Sequence, residues 1–196
     1  MKKGLIAIIV IGAILLGGFT WVKNTYNQMV VSDENVQAAW SQVENVYQRR
    51  ADLIPNLVAT VKGYAEYESE TLENVVSARA KATQVTVDPT DLTPEALSQF
   101  NAAQGELTSA LGRLLLIQEN YPDLKANQNF LELQAQLEGT ENRIATERMK
   151  FNEAAQAFNT GIRRFPDNII ASMFGFEKKA YFEAQAGAET APKVEF

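Results

Sequence analysis

Arg49-Arg50-Ala51-Asp52-Leu53-Ile54-Pro55-Asn56-Leu57-Val58 sits in the middle of a long helical pattern and decides how the chain reads. Around it Val36, Trp40, Val43, Tyr47, Arg50, Ile54, Leu57 and Val61 recur at alternating steps of four and three, the spacing that lines up one face of a helix. Arg50 therefore falls on the inward stripe. Pro55 lacks the N–H that its own turn needs, and its ring crowds the carbonyl four residues back, so the helix is expected to bend there. A kinked helix with a cation on its apolar face needs a specific partner, and Arg49 and Asp52 add charge to the same turn.

Upstream, Met1-Lys2-Lys3-Gly4 leads into a charge-free run from Leu5 to Val22. Eighteen residues at helical rise reach about 27 Å, close to a hydrocarbon core of about 30 Å. A retained anchor over 1–22 is preferred to a cleaved signal peptide, because Gly17-Gly18-Phe19-Thr20-Trp21 offers no convincing small-x-small cleavage site. Lys2 and Lys3 before the span outnumber Lys23 after it, which puts the N-terminus in the cytoplasm and the remainder outside. Trp21 suits the interface, and Ala13 with Gly17 forms a small-xxx-small pair through which spans could pack.

Helical periodicity continues from Lys23 without a turn signal until Gly63, so span and first bundle helix read as one rod. A second helix is expected over Ser69–Val85, capped by Ser69, with Leu72, Val75, Val76, Arg79 and Ala82 on one side. Thr93 caps a third, with Pro94 at its first position and Leu97, Phe100, Gln104, Leu107, Leu111, Leu114 and Gln118 on its stripe. The fourth carries Phe130, Leu133, Leu137, Thr140, Ile144, Phe151, Ala155, Phe158, Ile162 and Phe165 before Pro166 stops it. Four one-sided helices bury their stripes as an antiparallel bundle over 23–165, an all-α fold with long helices behind a transmembrane helix.

If helix one leaves the membrane near Val22 and helix four returns near Phe165, equal rise pairs positions that sum to about 187. Arg50 then lies level with Leu137, Glu138 and Glu141, and a buried guanidinium without a carboxylate is costly. The expectation is a bridge from Arg50 to Glu138 or Glu141, within the Glu138-Gly139-Thr140-Glu141-Asn142-Arg143 interruption of the apolar stripe. Its bland reading is an ion pair that fixes register, and its sharper one a ligand or proton site at the kink. Beyond Pro166, Asp167–Phe176 is apolar but too short to span, and it opens a segment over 166–184. Residues 166–184 are expected as a short helical segment at the membrane, where Ile169, Ile170, Met173, Phe174 and Phe176 form a lipid foot, a contact between copies, or a cap on the bundle. Residues 185–196 read as a mobile tail.

Composition narrows the chemistry. The 196 residues hold no Cys and no His, which removes thiol nucleophiles, imidazole bases and the usual zinc and di-iron ligand sets, leaving no metal or cofactor to expect. A formal charge of -6 argues against nucleic acid as partner.

Several segments resemble the signatures of LemA family proteins: Tyr26-Asn27-Gln28-Met29-Val30, Val36-Gln37-Ala38-Ala39-Trp40, the Arg49–Val58 stretch, Val61-Lys62-Gly63-Tyr64-Ala65, Tyr121-Pro122-Asp123-Leu124, Leu137–Ile144, Phe165-Pro166 and Tyr181-Phe182-Glu183-Ala184. Phe151-Asn152 stands where that pattern often has Tyr-Asn. The resemblance implies a bacterial protein with one N-terminal span and an antiparallel helical bundle, and it implies no reaction. The preferred reading is a non-enzymatic scaffold or adaptor in the bacterial cytoplasmic membrane, associating with copies of itself and with other membrane proteins. The alternatives are a sensor switched at the Pro55 kink and, last, a carboxylate-dependent enzyme, since no nucleophile motif or phosphate loop is present.

Overall fold

The computed structural model describes residues 2–183, so the tail expected over 185–196 lies outside the described residues. Six helices follow one another: α1 (Lys2–Lys62), α2 (Ser69–Gln84), α3 (Pro94–Leu116), α4 (Pro122–Lys125), α5 (Gln128–Arg163) and α6 (Asp167–Phe174), with a 3-10 turn at Ile117–Asn120. No strand occurs among the described residues. α1 is a single helix of 61 residues that runs through Pro55, about 90 Å at helical rise. Its first third is long and apolar enough to cross a membrane and is not buried by any of the described residues. The rest pairs with α2, α3 and α5 in an antiparallel four-helix bundle, whose closest partnership is α1 with α5.

Thr93 accepts from the Ala96 N–H with Pro94 at the first turn, and Asn127 accepts from the Phe130 N–H, so both α3 and α5 begin on side-chain caps. Ser69 is different: it is the first residue of α2, and the cap position falls on Glu68, which makes no side-chain cap bond. The Glu68 carboxylate instead accepts the Tyr121 hydroxyl, and its main-chain oxygen takes the Leu72 N–H. The inward stripe of α2 is Leu72, Val75, Ala78 and Ala82, while Val76 is 52 % exposed. Phe165 also leaves its expected stripe. α5 ends at Arg163, so Phe165, joined to Pro166 by a cis peptide, stands 79 % exposed beyond the helix.

The observed register sets Thr25 against Asp167, Trp40 against Phe151 and Arg50 against Glu141, pairs that sum to 191 or 192 rather than about 187. The difference is about one helical turn. It arises because α5 stops two residues before Phe165 and the chain turns over before α6 reaches the level where the span ends.

Two apolar clusters fill the bundle. The membrane-proximal one contains Trp40, Tyr47, Phe100, Phe151 and Phe158; the distal one contains Ile54, Leu57, Leu107, Leu114 and Phe130. In the first, Trp40 meets the rings of Phe100 and Phe151 edge-on and stacks on Phe182. Helix occupies only Asp167–Phe174 of the expected 166–184 segment. Gly175, in the left-handed region at φ 73°, ends α6, and the chain then runs back along the bundle as an irregular strap through Glu183.

Candidate functional site

Arg50 lies between the two apolar clusters. Tyr47 and Ile54, one turn to either side of it, belong to different clusters, and so do Phe100 and Leu107 around Gln104, and Leu137 and Ile144 around Thr140 and Glu141. A single polar layer therefore crosses the core. The guanidinium is 1 % exposed and donates to Glu141 Oε1 at 2.8 Å, Thr108 Oγ1 at 2.9 Å, Gln104 Oε1 at 2.6 Å and the Gln104 carbonyl at 3.3 Å. Gln104 Nε2 in turn donates to the Ala82 carbonyl at 3.2 Å. Thus α1, α2, α3 and α5 are joined at one level by a cation and its acceptors. Charge-assisted bonds of this kind are stronger than neutral ones and demand one register.

The layer is asymmetric. Glu141 is 43 % exposed and opens on a cavity of about 980 Å³ lined by Arg50, Tyr47, Gln104, Thr108, Arg148 and the strap. Only Arg50 Nε lacks an acceptor there among the described residues. Burial pushes the Tyr47 hydroxyl above its ordinary value, against the pull of Arg148 and Arg50, whose guanidinium carbon lies 5.1 Å from the ring centre. Burial likewise raises the Glu44 carboxyl.

Of the residues the sequence placed at this site, Arg50 and Glu141 meet. Glu138 is exposed and accepts from Gln134; Arg49 and Arg143 are exposed; Asp52 is exposed and accepts from Gln48. Each lies off the inward stripe. Pro55 has a consequence that the sequence alone does not disclose. Lacking an N–H, it frees the carbonyl of Ala51, and Arg79 Nε of α2 donates to that carbonyl at 2.7 Å. Arg79 on the flank of the α2 stripe was the available signal; its acceptor, a main-chain group made vacant by a proline, leaves no mark in residue types.

At the other end of the bundle, Thr25 donates to Asp167 at 3.4 Å, and the Tyr26 ring lies 4.7 Å from Phe174 and 5.8 Å from Phe176. Ile170 and Ala171 are buried in the proximal cluster, while Ile169, Met173 and Phe174 are exposed, as is Phe165 ahead of α6. The apolar segment therefore both caps the bundle and leaves an apolar face uncovered. Trp21 is exposed, and on the span Ala13 and Gly17 are exposed too, with no described residue against Gly17. Among the described residues no group of three or more carboxylates gathers as a metal site.

The model of the LemA family matches residues 39–196. Magnetosome protein MamQ 1 of Paramagnetospirillum magneticum is 28% identical over 84% of this chain and 67% of its own. Magnetosome protein MamQ of Magnetospirillum gryphiswaldense is 27% identical over 90% of this chain and 71% of its own. Protein LemA of Metamycoplasma hominis is 27% identical over 81% and 68%. The family match begins within α1 and takes in the polar layer, the remaining bundle helices and the strap, and this membrane-associated helical chain belongs to the LemA family.

Proposed function

We propose that the protein is a non-enzymatic scaffold or adaptor, anchored by a single span in the bacterial cytoplasmic membrane with its bundle on the outer side, and that it associates with copies of itself. One observation carries the reading: Ile169, Met173 and Phe174 are exposed on α6, and α6 begins at the height where the span ends. Thr25, which touches the first residue of α6, is three residues beyond Val22, about 4.5 Å of helical rise. A face of this kind beside a lipid surface is covered by headgroups or by a neighbouring chain. The lysine balance around the span supports the orientation.

The polar layer supports a structural role for its charges. Its cation is paired and its acceptors are used, which is how a bundle fixes register rather than how a site holds a reactive group. A second reading, a switch biased by a ligand, rests on the cavity onto which Glu141 opens. Both are tested by extracting the full chain gently from its native membrane and weighing the complex by native mass spectrometry, with each co-purifying component identified. Particles of several copies are the expected result. Monomers alone, in mild detergent and in native membrane, would overturn self-association, and a bound small molecule would move the reading to the switch.

A further inference from the structure

The strap is bound as a peptide is bound. Asn159 accepts the Lys179 N–H at 2.9 Å and donates to the Lys179 carbonyl at 2.8 Å; Asn152 does the same for Phe182, at 2.8 and 2.9 Å. Two asparagines seven residues apart on α5 rise about 10.5 Å, and three residues of extended chain cover about 10 Å. The two repeats match, so each side-chain amide replaces a strand edge and reads backbone alone. A fifth bond to the strap backbone runs from the Ala180 N–H to the Leu92 carbonyl at 3.1 Å.

Selection of side chains comes from two further contacts. Lys179 Nζ pairs with Asp33 at 2.9 Å and donates to the Thr90 carbonyl, and Phe182 is buried against Trp40 while Arg148 covers its ring at 4.5 Å. The groove thus specifies an extended Lys-x-x-Phe sequence. Every copy of this chain carries that sequence after Gly175, the described residue with positive φ, where an added Cβ would touch nothing.

We propose that this groove is a receptor for an extended Lys-x-x-Phe peptide and that its occupant in the assembled membrane protein is the 176–183 strap of a neighbouring copy. The inference rests on the self-association proposed above. Exchange preserves every contact between strap and groove, so only the hinge after α6 and the local concentration decide between own and neighbouring groove. Copies anchored in one membrane hold their straps and grooves at the same height. The uncovered face of α6, from which the strap departs, brings the hinges together.

The chain has no cysteine, which makes the test direct. Two differently tagged full-length copies, one Ala180→Cys and the other Asp91→Cys beside Leu92, are co-expressed and treated in native membranes with a short bis-maleimide. Exchange yields a covalent dimer carrying both tags, and Asn152→Ala with Asn159→Ala in both copies removes it. A charge swap adds specificity: an Asp33→Lys copy paired with a Lys179→Asp copy has mismatched contacts within each chain and a restored one between chains. Its two-tag yield should exceed severalfold that of either variant paired with itself. Met173→Cys copies, crosslinked in parallel, report whether chains are adjacent at all. Met173 adducts without two-tag strap adducts, or strap adducts undiminished by the asparagine variants, overturn strap exchange while self-association stands; absence of both adducts overturns both.

Discussion

Removing either partner of the Arg50–Glu141 pair should have unequal consequences, and the inequality follows from exposure. In Glu141→Leu the guanidinium keeps its charge at 1 % exposure with only the neutral acceptors Gln104 and Thr108. Breaking a buried pair so that a charge stays behind costs about 3–5 kcal/mol, and the adjacent cavity brings the expected loss to the lower end, about 3 kcal/mol. In Arg50→Met the charge left behind is on Glu141, which at 43 % exposure is already hydrated. What is lost there is the donor to the buried Gln104 side chain, about 1–2 kcal/mol. Arg50→Met with Glu141→Leu should cost about as much as Arg50→Met alone, a coupling of about 3 kcal/mol between the two substitutions. Thermal unfolding of the full chain in mild detergent, followed by circular dichroism, reads this as a fall in Tm of about 6–12 °C for Glu141→Leu and about 2–8 °C for the other two. If Arg50→Met is the more damaging single change, or if the double variant loses the sum, the polar layer is not organised around the guanidinium as described.

Other consequences test neighbouring contacts. Arg79→Leu should cost about 1–3 kcal/mol by leaving the Ala51 carbonyl without its donor, yet little in a Pro55→Ala background, where the restored N–H at position 55 takes that carbonyl; denaturant midpoints of the four variants close the cycle. Trp40→Ala, which empties the centre of the proximal aromatic cluster, should lose about 3–5 kcal/mol by the same assay. Tyr47 is held neutral by burial, so the unfolded chain ionises first as pH rises past the ordinary value of 10.0. Stability is therefore unaffected below that value and falls above it, and Tyr47→Phe should flatten the alkaline limb of Tm against pH.

The parts of the fold legible in the sequence are those in which side-chain type repeats with the helix. The inward stripe of α1, the Thr93 and Pro94 start of α3 and the apolar positions of α5 each depend on local periodicity, and each is observed. The inward arginine was visible for the same reason, and a register estimate of about one turn's accuracy brought Glu141 within reach. Parts that rest on main-chain groups were not visible. Arg79 finds a carbonyl exposed by Pro55, and Asn152 and Asn159 hold a backbone far along the chain. The strap itself, Phe176 to Glu183, mixes charged and aromatic residues without a helical or strand period long enough to read, and it takes its conformation from the groove.

These main-chain contacts divide the molecule into two unequal halves. The distal cluster is built from helix faces that meet one another and end in short turns, and the polar layer closes it. The proximal cluster is completed by Val87 and Leu92 between α2 and α3, by α6 and by the strap, and it includes Met29 and Val36 on the same unbroken helix that carries the apolar N-terminal stretch. A displacement of the strap would therefore uncover Trp40 and Phe151 in the half of the bundle next to the lipid, while the Arg50 layer, holding all four helices in register, would keep the distal half intact. If copies associate as proposed, the strap-dependent half is the part that exchange would rearrange, while the distal half would keep its helix-to-helix packing.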